Sequence, residues 1–97
     1  MDKIYIFAVY TGRNSYGVIR DADPNGDTIG YAVDKDFNCI SNHYSSGIGW
    51  TMHDMGITSD WQRDKYEKAF PNGYELVWIG GFKSVEDAKL AVANMAA

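Results

Sequence analysis

Two segments of this chain are apolar on both sides of a strand's two-residue period, and they constrain its fold more than any other feature. In Lys3–Tyr10 (KIYIFAVY), Ile4, Ile6 and Ala8 alternate with Tyr5, Phe7 and Val9. Tyr74–Gly80 (YELVWIG) repeats the pattern near the other end of the chain. Successive side chains of a strand point to opposite faces. Lys3–Tyr10, lacking a polar face, is therefore expected to sit centrally in its sheet.

Around these two segments the sequence predicts shorter elements. Thr11–Ser15, with Gly12 and Asn14, reads as a turn. Tyr16–Ala22 and Thr28–Asp34 read as strands, and the link Asp23-Pro24-Asn25-Gly26 suits a type I turn. There Asp bonds the backbone at the first position, Pro presets φ at the second and Gly closes the turn. A fourth strand, Cys39–Tyr44, follows a tight connection over Lys35–Asn38, and Ser45–Thr58 has no clean period. Ser59 and Gln62 form a capping-box pair, predicting a helix to about Ala69, stopped by Pro71-Asn72-Gly73. Ser84 opens a second helix, on which Val85, Ala88, Ala91, Val92 and Met95 share one face. The expected architecture is one compact α+β domain over residues 1–97: an antiparallel sheet of about five strands with two amphipathic helices.

Composition narrows the functional classes. Hydrophobic residues make up 45% and charged residues 23%, an ordinary globular balance that argues against intrinsic disorder. The single Cys39 excludes an internal disulfide and fits a reducing compartment, where it is expected as a small core side chain. Ile4–Tyr10 is short and lacks a small-residue cleavage site, so it does not read as a secretory signal. No run reaches the ~20 apolar residues that span a bilayer. The expectation is a cytoplasmic protein. A formal charge of −4 argues against direct binding of nucleic acid or anionic membrane, both of which need a basic surface.

That charge is concentrated. Asp21, Asp23, Asp27, Asp34 and Asp36, against the single Lys35, place −4 on residues 21–36, equal to the net charge of the whole chain. Charge held on one rigid patch steers a basic partner at long range. Alternate strand residues lie about 6.5–7 Å apart on one face, so Asp21 with Asp23, and Asp34 with Asp36, can imitate short rows of phosphates. The plainer alternative is that turns collect Asp for local hydrogen bonding and solubility.

Other constellations are weaker. Residues 21–27 superficially follow a calcium loop, but its twelfth position is Ala32 where a bidentate Glu belongs. Cys39, His43, His53 and Asp54 include zinc-ligand types at a spacing that fits no structural zinc pattern. Cys39 with either His lacks an orienting third group and an oxyanion site, so no catalytic residue, metal or cofactor is expected. Gly47–Gly56 offers Trp50, Met52 and Met55 on a glycine-punctuated loop, suited to partner contact, and equally Trp50 with Ile57 can seal one end of the core. On the first helix Asp60, Asp64 and Glu67 are balanced by Arg63, Lys65 and Lys68, a solvated face.

The acidic DADPNGD hairpin, the GWTMHDMGITSDW loop and the PNGYELVWIGGF strand together resemble small phage and mobile-element anti-CRISPR proteins. Size, acidity and α+β layout are similar to inhibitors of the type I-F surveillance complex, including acidic ones that occupy the target-DNA site. The resemblance implies a non-enzymatic inhibitor in an infected bacterial cell, whose partner is a basic nucleic-acid-binding protein or ribonucleoprotein. Its contacts would come from Asp21, Asp23, Asp27, Asp34 and Asp36, with Trp50, His53 and Asp54 beside them. The alternative from another class is a small ligand- or metal-binding protein, sequestering a nucleotide signal or holding zinc through Cys39, His43 and His53.

Overall fold

The computed structural model describes residues 1–10, 28–45 and 60–97. Their elements run β1 (Asp2–Tyr10), β2 (Thr28–Val33), β3 (Cys39–Ser45), α1 (Asp60–Ala69), β4 (Tyr74–Phe82) and α2 (Val85–Ala96). The four strands form one sheet in the order β3-β2-β1-β4. β1 is central, as its two apolar faces require: Ile4, Tyr5, Ile6, Phe7, Ala8 and Val9 are all buried.

The sheet is mixed rather than antiparallel. β2 pairs antiparallel with both β1 and β3, whereas β4 lies parallel to β1. Two antiparallel steps leave β3 running in the same direction as β1. The chain then crosses from β3 to the far edge through α1 and enters β4 in that direction too. A helical crossover is the usual way to join parallel strands. The expected strand Tyr16–Ala22 lies outside the described residues, so the comparison with a five-stranded sheet is limited to these four.

The two faces of β1 are covered by different helices. Tyr5, Phe7 and Val9 pack with Val33 and with Ala88 and Val92 of α2. Ile4 and Ile6 pack with Ala32 and with Tyr66 of α1. On α2 the predicted stripe is buried at its middle, while Val85 and Met95 at its ends are 42% and 51% exposed. Ser84 caps that helix as its sequence suggested, its Oγ accepting from the Asp87 N–H at 3.1 Å. The charged residues of α1, from Asp60 to Lys68, are exposed.

Two bulges adjust the faces. In β4 the pairing passes from Ile6–Trp78 to Phe7–Gly80, leaving Ile79 as the extra residue. Gly80 adopts φ 119°, a region costly for any side chain bearing a Cβ. The shift brings Ile79 and Phe82 both to the α2 side, where Phe82 meets Phe7 edge to face at 6.2 Å. In β3 the register slips at Ile40, between the pairs Ala32–Ser41 and Val33–Cys39.

Candidate partner-binding site

The β2–β3 connection is a three-residue hairpin loop. The Asp34 N–H donates to the Asn38 carbonyl at 3.1 Å and the Phe37 N–H donates to the Asp34 carbonyl at 3.0 Å. Such loops combine a type I turn with a left-handed residue that is usually glycine. Here that residue is Phe37, at φ 65°. Its ring stacks on Phe7 at 5.6 Å with the planes 14° apart, and Tyr31 stacks on the same buried ring at 5.2 Å.

The Asp34 side chain organises this loop. Its Oδ1 accepts from the N–H groups of Asp36 and Asn38, each at 2.9 Å, and its Oδ2 accepts from Asn38 Nδ2 at 3.1 Å. Asp34 and Asp36 are thus not a strand pair displayed on one face, because β2 ends at Val33. The spacing argument for these two fails: one carboxylate is turned into the loop and the other stands exposed on it. The plainer reading of turn aspartates describes Asp34 well.

The loop borders an open cavity of about 520 Å3 at one end of the sheet. The start of β1 supplies Asp2, Lys3 and Tyr5, the loop supplies Asp34, Lys35 and Asp36, and Phe70 and Met95 add apolar wall. Its lining side chains include three carboxylates and two lysine ammonium groups, with Met1 and Ala97 beside them. Phe70 directly follows α1 and Met95 lies in the last turn of α2, so both helices bring their C-terminal ends to this wall. A helix C-terminus carries roughly half a negative charge. The last turn of α2 holds no basic residue to offset it. Arg63 pairs with Asp60 on α1, whereas neither Asp2 nor Asp36 forms an ion pair with a described residue.

Asp2 and Lys3 were not anticipated as site residues. The β1–β2 register, with Tyr5 opposite Val33, carries the start of β1 to the level of the 34–36 loop. Inspection of local charge clusters cannot find a residue that joins a cluster through strand pairing. Of the anticipated residues, Asp34 and Asp36 lie at this cavity. Asp21, Asp23, Asp27, Trp50, His53 and Asp54 lie outside the described residues.

The alternative zinc reading needs Cys39 and His43 on one side of the sheet, with His53 outside the described residues. The bulge at Ile40 leaves Cys39 beside Val33, on the α2 side of the sheet, and pairs His43 with Gly30 in the register that faces α1. These two residues therefore point to opposite faces, and no group of three His, Cys, Asp or Glu residues able to hold a metal occurs among the described residues. Cys39 is exposed rather than a core side chain. It opens an edge strand on the face where α2 packs chiefly over β4 and β1.

Beneath α1, Tyr66 is 1% exposed and meets Tyr74 edge to face at 5.7 Å. Burial and the nearby Tyr74 push its hydroxyl up to about 12. The Ser41 hydroxyl eases that shift, although its Oγ reaches no hydrogen bond of ordinary geometry. A phenol held so firmly protonated does not serve as a base near neutral pH. No helix among the described residues is long and apolar enough to cross a membrane. Comparison with protein-family models, with curated proteins and with solved structures returned no match to this chain.

Proposed function

We propose that this chain is a non-catalytic binding protein that offers its acidic end to a basic, nucleic-acid-binding partner and so keeps nucleic acid from the partner's site. The observation that carries the reading is the cavity where Asp2 and Asp36, unneutralised by any ion pair among the described residues, meet the C-terminal ends of both helices. The carboxylates and the uncompensated C-terminal end of α2 add at one place, where Lys3, Lys35 and, on α1, Lys68 offset them in part, and a lysine or arginine side chain is the complement to the remaining field. Phe70, Tyr5 and Met95 suit the methylene stem of such a side chain. The partner class follows from the resemblance to inhibitors of the type I-F CRISPR surveillance complex. In that setting Asp21, Asp23, Asp27, Trp50, His53 and Asp54 are further candidate contacts.

The test is competition. The wild-type chain should displace labelled target duplex from a type I-F surveillance complex, read by fluorescence anisotropy, and the displacement should weaken as salt rises. The double variant Asp2→Asn/Asp36→Asn should lose about tenfold or more in inhibitory potency while keeping its unfolding midpoint. Undiminished inhibition by that folded variant would exclude the cavity as the contact.

A further inference from the structure

We propose that the outer edge of β4 is an interface for a second copy of this chain, which pairs with it antiparallel and joins two sheets edge to edge. This does not depend on which partner the acidic end receives. The composition of β4 disagrees with the place the fold gives it. β1 and β4 are the two strands apolar on both faces. β1 lies between β2 and β4, and its residues from Ile4 to Val9 are buried. β4 lies at one edge, paired along one side only among the described residues. Leu76, Val77, Trp78, Ile79 and Phe82 are accordingly half-buried, and none of the nine residues of β4 is fully buried.

The opposite edge shows the contrast. β3 carries Ser41-Asn42-His43 at its middle, and its register slips at Ile40. Polar side chains and bulges are what keep an edge strand from pairing further. β4 holds a single charged residue, Glu75, and neither lysine nor proline. Its bulge at Ile79 breaks the second half of the strand, so Tyr74–Trp78 remains a regular edge. An apolar edge of that kind is a template for another strand.

Charge and symmetry select a second copy as that strand. Two chains of net −4 repel one another, but over residues 74–83 Glu75 and Lys83 cancel. Two copies therefore approach here at the least electrostatic cost, whereas a strongly charged partner gains nothing. A two-fold axis normal to the sheet makes the two β4 strands antiparallel and uses the same patch on both chains. With the axis at Leu76, Tyr74 of each chain lies opposite Trp78 of the other, and Glu75 lies opposite Val77. Apolar and aromatic residues then oppose one another and no carboxylate opposes a carboxylate, the pairing that favours antiparallel strands. The acidic cavity lies where β1 and β4 start, so the joined pair carries its two acidic ends at opposite ends of one sheet.

Sedimentation equilibrium and NMR on the purified chain test this. At about 1 mM, where a contact of modest area is populated, the average mass should rise toward twice that of the monomer. In an equimolar mixture of isotope-labelled and unlabelled chains, isotope-filtered NOEs should connect Tyr74–Trp78 of one chain with the same residues of the other. Alternate amides of that stretch point away from β1, and they should exchange several-fold more slowly at about 1 mM than at about 20 µM. A chain that stays monomeric at the higher concentration would overturn the proposal. So would a dimer whose intermolecular NOEs arise outside β4. Protection of the outward amides that does not change with concentration would mean that the chain covers its own edge, which overturns it equally. None of these results touches the acidic-end reading, whose test is displacement of duplex.

Discussion

At the residue scale, two aromatic side chains sit where their backbone or their hydroxyl opposes folding, and packing compensates. Phe37 occupies a left-handed position that glycine ordinarily takes, held there by its stack on Phe7. Alanine keeps the backbone conflict and loses the ring, whereas glycine loses the ring and the conflict together. Phe37→Gly should therefore be more stable than Phe37→Ala by about 1 kcal/mol, the reverse of the usual order, in urea unfolding. Asp34→Ala should cost about 2 kcal/mol, since three backbone or amide donors lose a charged acceptor. Tyr66 sets the alkaline limit. Its folded pKa of about 12 lies above the ordinary 10, so the folded state keeps a proton that the unfolded chain releases. Stability is then complete below pH 10 and falls between pH 10 and 12, by up to about 2 kcal/mol. Unfolding of Tyr66→Phe across that interval should lack this loss. Equal alkaline slopes in both proteins would show that Tyr66 is not its source.

At the element scale, the bulge in β4 decides which residues share a face. Without the extra Ile79, strict alternation would send Phe82 to the α1 side, away from Phe7. Gly80 makes the bulge possible through its backbone and not through lack of room, because nothing lies within 4 Å of a Cβ built there. Gly80→Ala should accordingly cost about 1–2 kcal/mol despite the open space, measured as a lowered denaturation midpoint with an unchanged urea slope. Gly81 is the opposite case: a methyl there would overlap the Tyr10 ring. The element boundaries were largely legible in the sequence. The Pro71-Asn72-Gly73 stop and the Ser84 cap are local chemistry, and both are where their residues indicated. The direction of β4 was not legible, because strand polarity depends on where α1 carries the chain and not on any residue within β4. Nor was the exposure of Cys39, which follows from how much of the sheet α2 covers.

At the scale of the whole molecule, charge and topology act together. β1 and β4 start at the end where α1 and α2 finish, so strand order alone gathers the negative helix ends beside Asp2, Asp34 and Asp36. For a partner reached through this end, association should slow as salt rises. Asp2→Asn/Asp36→Asn should lower the association rate several-fold at low ionic strength and change dissociation less, by surface plasmon resonance. A rate insensitive to both salt and the double variant would place the contact elsewhere. The concentration of aspartate in residues 21–36 was plain in the sequence, but the cavity was not. Asp2 lies more than thirty positions from Asp34, and only antiparallel pairing makes them neighbours.

By itself the sequence determined what depends on nearest neighbours along the chain: a β1 that must be buried on both faces, two helices with the Pro71-Asn72-Gly73 stop of the first and the Ser84 cap of the second, and an excess of acid ahead of β3. Those properties follow from side-chain periodicity and short-range hydrogen bonding, which a linear reading captures. Only the tertiary structure decided that β4 runs parallel, that Asp34 is turned into its own loop, and that Asp2 and Asp36 border one cavity. Each of these depends on register and crossover, quantities set by packing between residues far apart in the chain.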